Sequence, residues 1–399
     1  MSTAVRPRLL VDVTQYVSWP ATSGVQRVLR HLAEDWPGQR VEARFGFIEH
    51  GRYVTGPIAE LGYVIGSTFR GCGDLGVEAR SGFVRSALRE TVSAAISIRE
   101  IETSFDAYLL PEPSLRQDNI AIAARLLESR RTTAFFVYYD ALPLTHPQFF
   151  PPAVEREAPL IRYNRTVSRS DNVAFISGAT RRVFETRIAR RSPQHAIVAR
   201  LGADGLKPMQ SRQPDIPTFT IVGTIERRKR HPVVLDAFEQ LWAAGHDYRL
   251  VVIGPPGSDK SLIEKLRKHS PTTRVTWIEM ADDDEIAIAL SRSSAMVFIS
   301  EAEGYGLPPL EALALGCPVI VAAGLPALEG LSSAGQLRLG TVTEESIGSA
   351  VRTLADPASN AAYRRAIEDL RLPTWERFAA RVEQWVASVL SNERGWERT

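Results

Sequence analysis

Cysteine is scarce in this sequence. The 399 residues include two, Cys72 and Cys317, which lie far apart and form no C-x-x-C motif. Disulfide frameworks and structural zinc sites both need several cysteines at close spacing. The sequence therefore predicts neither kind of framework, and it favours a reducing, cytoplasmic location.

Long hydrophobic runs are also absent. After Arg6 and Arg8, the apolar run at residues 9–11 ends at Asp12, which is too short for the apolar region of a secretory signal peptide. Nowhere do about eighteen apolar residues follow one another, as a membrane-spanning helix requires. The sequence predicts neither a signal peptide nor a transmembrane helix.

Neither sign of charge dominates the chain. It has 48 Lys and Arg against 46 Asp and Glu, a formal net charge of +2. Residues 1–208 hold 27 basic and 21 acidic side chains, and residues 209–399 hold 21 and 25. We therefore predict no nucleic-acid partner, while the mild basic excess of the first half favours an anionic one.

The composition is that of a globular protein, with 44% apolar and 24% charged residues. A chain of this length can form two domains, each with its own core. The polar, proline-containing residues 209–217 are the best candidate for a linker between them. The predicted parts are a first domain at residues 1–208, this linker, a second domain at residues 218–372 and a final helix at residues 373–399.

The most informative stretch is residues 295–320. It begins with an apolar run of strand length, residues 295–299, and from Leu310 the apolar residues recur at helical spacing until Gly316 and Pro318 end the pattern. The sequence therefore predicts a strand, a loop, a helix and a second strand.

Two glutamates and two glycines stand out in this stretch. Glu303, Gly304 and Gly306 lie in the predicted loop, and Glu311 lies in the helix. Glycine lets backbone N–H groups approach a ligand closely, and a helix N-terminus favours anions. The alternative is an ordinary turn between strand and helix with two solvated glutamates.

Four consecutive cations follow another predicted strand at residues 219–223. They are Arg227, Arg228, Lys229 and Arg230. Arginine forms bidentate contacts with phosphate, and lysine offers a compact charge. This loop is therefore a candidate diphosphate site, and a solvated basic loop is the alternative.

In the first half, polar residues also follow predicted strands. Ser23 and Gly24 lie between a strand at residues 8–13 and a helix at residues 25–32, where Ser23 is a candidate N-cap. Asp140 follows an apolar run at the point where ligands bind in parallel sheets. A helix start without a ligand and a turn-capping aspartate are the alternatives.

The stretch from Ser300 to Ala312 resembles a known signature. It fits the E-x7-E pattern S-x-x-E-G-[FY]-G-L-P-x-x-E-A of retaining glycosyltransferases of the family 4 type, which have the GT-B fold. Residues 223–231 resemble a second pattern of that family, G-T-x-E-P-R-K-N-H, with Arg228 and Lys229 on its Arg and Lys. The resemblance implies an α/β protein in which two Rossmann-like domains face each other across a cleft, with a C-terminal helix that crosses back to the N-terminal domain.

The resemblance also implies roles for individual residues. The N-terminal domain would bind the acceptor and the C-terminal domain the nucleotide sugar, and Tyr139 replaces a histidine that many members have beside Asp140. The implied catalytic residues are Glu303, Arg228, Lys229 and Asp140. The implied nucleotide-sugar residues are Gly24, Gly223, Arg228, Lys229, Gly304, Tyr305, Gly306, Leu307 and Glu311. The implied acceptor residues are Asp140 and Tyr139.

The activity implied by the resemblance is transfer of a hexose from a sugar nucleotide with retention at the anomeric carbon. The chain is most similar to bacterial mannosyltransferases of surface-polysaccharide assembly, so GDP-mannose is the first choice of donor and a saccharide or lipid-linked saccharide the expected acceptor. No metal or other cofactor is expected. A sugar-nucleotide-binding protein without catalysis, or a GT-B isomerase or phosphorylase, is the alternative, and the oligomeric state is left open.

Four other patterns are weaker. The G-x-G-x-x-G match at residues 71–76 is interpreted as a loop, since it follows only a short strand-like run at residues 63–65 and not a first strand. The segment at residues 83–98 after it is predicted to be a helix. Residues 254–261 fail as a phosphate-binding loop because Asp259 replaces the glycine before the lysine. The acidic residues 282–285 are interpreted as the start of a helix, and the basic residues 181–191 as a surface helix, with contact to the inner face of a membrane as the alternative.

Overall fold

The computed structural model describes residues 6–21, 23–71, 76–150, 154–209, 214–257, 259–269 and 274–396. They form two compact units, each with its own sheet. Unit 1 contains Met1–Ala141, Pro152–Gly202 and Thr374–Thr399, and unit 2 contains Leu142–Pro151 and Ala203–Pro373. The chain changes unit at Gly202, slightly before the expected boundary at residue 208, and residues 210–213 of the expected linker lie outside the described residues.

Unit 1 is built on eight strands. They are β1 Arg8–Asp12, β2 Glu42–Glu49, β3 Arg52–Pro57, β4 Ala94–Ile96, β5 Ala107–Leu110, β6 Thr133–Tyr138, β7 Val173–Phe175 and β8 Ile197–Val198. Their order across the sheet is β4-β3-β2-β1-β5-β6-β7-β8. The β2–β3 and β3–β4 pairs are antiparallel and the others parallel. The order reverses at β1, which lies between β2 and β5.

The helices of unit 1 cover this sheet. They are α1 Thr14–Ser18, α2 Gly24–Glu34, α3 Ile58–Gly71, α4 Val77–Glu90, α5 Ile98–Ser104, α6 Gln117–Ser129, α8 Val154–Val167, α9 Gly178–Val183 with a wider turn at Phe184–Ile188, and α16 Trp375–Trp396. All four residues of β5 are buried, as expected for a central parallel strand covered on both faces.

Unit 2 is built on six parallel strands. They are β9 Thr218–Val222, β10 Arg249–Ile253, β11 Val275–Ile278, β12 Ala295–Phe298, β13 Val319–Ala322 and β14 Gln336–Leu339, in the order β11-β10-β9-β12-β13-β14. The helices are α7 Leu142–Thr145, α10 His231–Ala243, α11 Lys260–His269, α12 Asp283–Arg292, α13 Leu307–Ala314, α14 Glu344–Ala355 and α15 Pro357–Glu368, with short 3-10 turns at Pro147–Phe149, Arg227–Lys229 and Pro326–Leu328. The strand, loop, helix and strand expected over residues 295–320 are thus confirmed.

Two predictions in the first half are wrong. Residues 63–65 have the composition of a strand but lie in α3, and the helix expected over residues 83–98 ends at Glu90. Beyond Glu90 the chain forms β4, which pairs with β3. These interactions with distant segments override the local pattern.

Two of the weaker patterns have plain structural explanations. Asp282 is the N-cap of α12: its carboxylate accepts a hydrogen bond from the backbone N–H of Glu285, and its own backbone N–H donates to the Glu285 carboxylate. The acidic run is therefore a helix start, as predicted. Asp259 accepts from Ser261 Oγ at 2.8 Å at the start of α11. The G-x-G-x-x-G match lies mostly at residues 72–75, outside the described residues.

The last helix, α16, packs within unit 1. Trp375 stacks on His31 of α2 with ring centroids 4.4 Å apart. Further along, Glu383 accepts hydrogen bonds from the backbone N–H groups of Arg40 and Val41 at 2.8 and 3.0 Å. The contacts join the end of the chain to the segment that precedes β2.

Candidate functional site

The candidate residues of unit 2 lie where its strand order reverses. Strand β9 has β10 on one side and β12 on the other, so the loops after β9 and β12 flank the point at which parallel sheets bind ligands. The loop after β9 contains Arg228 and Lys229, and the loop after β12 contains Glu303. Residues that are 74 positions apart in the sequence thereby meet at one edge of the sheet.

Glu303 forms ion pairs with both cations. Its Oε2 lies 2.7 Å from Arg228 Nη1, and its Oε1 lies 2.8 Å from Lys229 Nζ. The three side chains are only 11 to 13% exposed. We call Arg228, Lys229 and Glu303 the cation–carboxylate cluster. Its net charge is +1.

The two loops are also joined through their backbones. Arg228 donates to the carbonyl of Ala302 at 2.7 Å, and Glu301 N–H donates to the carbonyl of Arg228 at 2.9 Å. Arg230 pairs with Glu301 at 3.1 Å nearer the surface. These bonds fix the position of the cluster before any ligand binds, which is the arrangement that electrostatic stabilisation requires.

The charges of the cluster support one another. Burial alone would raise the pKa of Glu303, but Lys229 and Arg228 outweigh it and hold that pKa below its ordinary value. Burial opposes the charge of Arg228, yet Glu303 and Glu226 raise its pKa overall. Lys229 Nζ also lies 4.5 Å from the centre of the Phe298 ring, a favourable cation–π distance. Glu303 and Arg228 are therefore charged at neutral pH.

Two glycines of the site are required by the backbone. Gly223 has φ +143°, and a Cβ there would come within 3.3 Å of Lys229 Cε and Nζ. Gly306 has φ +92° immediately before α13, and a Cβ would lie 2.7 Å from Leu325 Cδ1. A side chain at either position would strain the backbone and disturb its neighbour.

The remaining predicted residues of unit 2 line the entry into α13. Tyr305 and Leu307 are buried, and the Tyr305 carbonyl accepts from Ala327 N–H at 2.9 Å. Glu311 is 4% exposed on α13. Gly304 adjoins Glu303 and is buried. The structure therefore brings these four residues into one continuous segment that starts at the cluster.

The predicted residues of unit 1 lie in the segments that follow β1 and β6. Gly24 is exposed, and a Cβ there would meet nothing within 4 Å. Ser23 is the residue before α2, but its hydroxyl bonds to Gln26 rather than to the helix backbone. Asp140 is half-buried just beyond β6. Tyr139 is buried, and its hydroxyl donates to the carbonyl of Pro111 at 2.8 Å, so here it bonds to the protein's own backbone.

The sequence patterns did not single out a buried acidic group in unit 1. Asp12, at the end of β1, accepts hydrogen bonds from the hydroxyls of Tyr53 and Tyr108 and from Asn119 Nδ2. Its pKa is raised because burial outweighs these bonds. Asp12 ends a strand, which is the same signal that identified Asp140.

Glu112 is the second buried acid that was missed. It follows β5 and is 1% exposed, and its Oε1 accepts from Gln26 Nε2 at 3.0 Å. Burial raises the pKa of Glu112 to about 8. The side chain is therefore largely protonated at neutral pH, close to the start of α2.

Two neighbours of the cluster in unit 2 were also missed. Glu226 pairs with Arg228 at 3.1 Å. His231 starts α10 and is 2% exposed, and burial lowers its pKa to about 4. Both flank the four cations in the sequence, so the pattern of cations identified this segment but not the roles of Glu226 and His231.

The described residues set two limits on other kinds of site. No helix among them is both long and apolar enough to cross a membrane. Within the same residues, no group of three or more His, Cys, Asp or Glu side chains is arranged to hold a metal ion. Cys317 is buried, which raises the pKa of its thiol to about 12, and Cys72 lies outside the described residues.

Known sequences resemble this chain over most of its length. Residues 207–367 match the family described as Glycosyl transferases group 1. The serotype-specific mannosyltransferase WbdA of Escherichia coli is 28% identical over 341 residues, 79% of this chain and 37% of WbdA. A GDP-mannose-dependent alpha-(1-6)-phosphatidylinositol dimannoside mannosyltransferase of Mycobacterium tuberculosis is 24% identical over 286 residues, 67% of this chain and 73% of that protein. The chain thus spans little more than a third of the length of WbdA.

Solved structures resemble the whole fold. The crystal structure of Anabaena HepE in complex with UDP and glucose has a TM-score of 0.64 at 14% identity and covers 97% of this chain and 100% of that one. WaaG, a glycosyltransferase involved in lipopolysaccharide biosynthesis, has a TM-score of 0.56 at 11% identity and covers 96% and 99%. The two sheets, one mainly parallel and one wholly parallel, and these likenesses show that the chain has the GT-B fold, as predicted.

Proposed function

We propose that the protein is a retaining glycosyltransferase, because residues 207–367 match the glycosyl transferases group 1 family and the whole chain has the GT-B fold. The relatives of this chain include bacterial mannosyltransferases. The proposed reaction moves a hexose from a sugar nucleotide to a saccharide or lipid-linked saccharide acceptor, in the assembly of surface polysaccharide or another glycan.

The cation–carboxylate cluster is the observation that carries this proposal. Arg228 and Lys229 lie beside the reversal of strand order in unit 2, the place where open parallel sheets generally bind ligands. They are mostly buried and are held by Glu303 at 2.7 and 2.8 Å. Negative charge builds on the diphosphate as the bond to the sugar breaks. Fixed cations in a poorly hydrated site stabilise such charge more strongly than water does. No metal ion is required for this role, since the two side chains supply two positive charges.

The other residues of unit 2 have matching roles. Glu303 lies beside the sugar and keeps both cations in place, while Gly223, Gly304 and Gly306 let backbone N–H groups reach sugar and phosphate. Glu311 accepts from the ribose hydroxyls. Tyr305 and Leu307 form the wall of this segment.

GDP-mannose is the proposed donor. The names of the E. coli and M. tuberculosis relatives support mannose as the sugar and, for the latter, GDP as the nucleotide. The solved relative that holds UDP and glucose makes UDP-glucose the necessary comparison. In unit 1, Asp140 orients the acceptor, and the protein works in the cytoplasm, with the inner membrane face as the alternative location.

A panel of nucleotides and a transfer assay test the proposal. At equal concentration, a ligand that binds the folded state more tightly raises Tm more. We therefore expect GDP or GDP-mannose to raise Tm more than UDP, ADP or dTDP compounds do. Radiolabelled mannose should then leave GDP only when a saccharide acceptor is present. Nucleotide binding without any transfer to a panel of acceptors would favour the non-catalytic alternative, and a higher Tm with UDP would overturn the choice of donor.

A further inference from the structure

Unit 1 contains a pocket of about 510 Å³ at the edge of the sheet where the parallel strands end. Glu49 at the end of β2, Arg85 and Arg89 on α4, and Arg116 immediately before α6 line it. This volume is in the range of small-molecule sites. None of these residues belongs to the cation–carboxylate cluster, so the pocket is a separate candidate site.

The first side of the pocket carries two guanidinium groups on one carboxylate. Arg89 holds Glu49 with two bonds, from Nη2 to Oε1 at 2.8 Å and from Nε to Oε2 at 2.9 Å. Arg85 Nη1 adds a bond to Oε1 at 3.2 Å. The hydrogen bond from Arg89, followed by that from Arg85, lowers the pKa of Glu49. This side therefore has a net charge of +1.

The second side carries one guanidinium and one carboxylate. Arg116 pairs with Asp118 and donates from Nη1 to Ser18 Oγ at 3.1 Å. The pair is well exposed, at 39% and 43%. The pocket as a whole has three guanidinium groups and two carboxylates. Each guanidinium has five N–H donors, so these bonds leave donors on both sides for an anion.

The pocket also has an apolar part. Ile48, Ile98 and Ile122 contribute to its walls. Arg116 and Ser18, which are joined by a hydrogen bond, are each next in the sequence to a large apolar residue. These neighbours, Leu115 and Trp19, are 38% and 54% exposed. A ligand that fits both parts carries a negative group and an apolar portion.

We propose that this pocket binds the phosphate group of an amphipathic phosphate ester. A phosphate monoester has three terminal oxygens and up to two charges, so it can accept from guanidinium groups on both sides at once, whereas a carboxylate has two oxygens in one plane. The isoleucines contact the apolar portion. This inference rests on the proposed glycosyl transfer, and it identifies the ester as the acceptor.

Binding of small phosphates tests the proposal without any transfer reaction. The probes are octyl phosphate below its micelle concentration, glucose 1-phosphate and, as the uncharged counterpart, octyl glucoside. Calorimetry would compare the wild type with Arg116→Gln and with Arg85→Gln, which lie on different elements of the pocket. Arg125→Gln is the matched control, because it removes the same charge from α6 at a side chain that is 46% exposed and outside the pocket lining.

We expect octyl phosphate to bind the wild type and Arg125→Gln equally. Arg116→Gln and Arg85→Gln should each weaken it about tenfold or more, since a hydrogen bond to a charged group is lost. Octyl glucoside should bind poorly to all four proteins. Equal binding of octyl phosphate to all variants would overturn the proposal. If glucose 1-phosphate bound as tightly as octyl phosphate, the ligand would need no apolar portion and would instead be a soluble sugar phosphate.

One more variant separates this pocket from the cluster of unit 2, which could also attract phosphate. Lys229→Ala should bind octyl phosphate as the wild type does. If Lys229→Ala lost octyl phosphate binding while Arg116→Gln kept it, the probe would bind in unit 2 and the proposal would be overturned. The two proposals can fail separately. Binding that depends on Arg116 in a protein that transfers no sugar would leave the pocket standing and reject the proposed function.

Discussion

Lys229 is the residue at which charge and catalysis should be most closely linked. Its ammonium group lies 2.8 Å from Glu303 and 4.5 Å from the Phe298 ring centre. Because its charge is needed most when the diphosphate leaves, Lys229→Ala should lower kcat by about 10- to 100-fold and change KM less. Steady-state kinetics with the best donor measures both.

Lys268→Ala is the control for Lys229, because it removes an exposed lysine near the end of α11 in the same unit. It should behave as the wild type. Equal losses in kcat and in donor affinity for Lys229→Ala, expressed as free energies, would contradict a role specific to the departing diphosphate.

Glu311 should contribute to binding rather than to turnover. A carboxylate that accepts from ribose hydroxyls makes hydrogen bonds worth about 1.5 to 3 kcal/mol each, so Glu311→Gln should weaken nucleotide binding about tenfold. The substitution keeps the volume of a side chain that is 4% exposed. Calorimetric Kd values for the best nucleotide measure the effect, and an unchanged Kd in a folded variant would remove Glu311 from the site.

Glu112 should make the stability of unit 1 depend on pH. Burial raises its pKa from an ordinary 4.5 to about 8, so between these values the folded state holds a proton that the unfolded state releases. The contribution of Glu112 is complete below about pH 4.5 and is lost as the pH rises through 8.

Glu112→Gln, which mimics the protonated form and can still accept from Gln26, should remove this loss. Denaturant unfolding from pH 5 to 9 should show the variant gaining free energy of unfolding relative to the wild type as the pH rises. Glu128→Gln, at an exposed position of α6, is the control. Parallel pH profiles for wild type and Glu112→Gln would contradict the prediction.

At the scale of elements, α16 depends on one buried carboxylate. Glu383 is 3% exposed and accepts from the backbone N–H groups of Arg40 and Val41. Glu383→Ala would leave two donors without this acceptor, and each lost partner costs about 1 to 3 kcal/mol when buried. We expect the free energy of unfolding to fall by at least about 2 kcal/mol.

Gln384→Ala is the matched control for Glu383, because Gln384 is the next residue of α16 and is exposed. It should change stability by less than about 0.5 kcal/mol. If urea unfolding gave the same loss for both variants, the backbone contacts of Glu383 would not be what anchors the helix.

At the scale of the whole molecule, the proposed reaction makes a stereochemical prediction. On the proposed assignment most of the named residues bind the donor, and Asp140 is the carboxylate proposed on the acceptor side. We therefore expect the acceptor to attack from the face of the leaving group, with the diphosphate helping to take the proton. An α-linked donor should give an α-glycoside, which NMR of the product identifies.

Asp140→Asn distinguishes orientation from proton transfer. If Asp140 orients the acceptor, the variant should keep measurable turnover with a raised acceptor KM. A β-linked product would reject retention altogether. An α-linked product with no turnover in Asp140→Asn would reject only the orienting role.

The sequence by itself determined the fold class and the segments of the candidate site in unit 2. Apolar runs of strand length predicted β1, β6, β9 and β12, and the glycines and cations that follow two of these strands predicted the loops. Such information is local, because strand length, helix period and glycine conformation depend on neighbouring residues. The family resemblance rests on the same local runs.

Only the tertiary structure decided which residues meet. Glu303 pairs with Lys229 across 74 positions, Glu112 meets Gln26 across 86, and the pocket joins β2, α4 and α6. These contacts follow from strand order, which a local pattern does not encode. For the same reason two local predictions were wrong. Residues 63–65, predicted as a strand, lie in α3, and residues 94–96, predicted as helix, pair with β3. Packing and pairing with distant segments, rather than intrinsic preference, set their conformation.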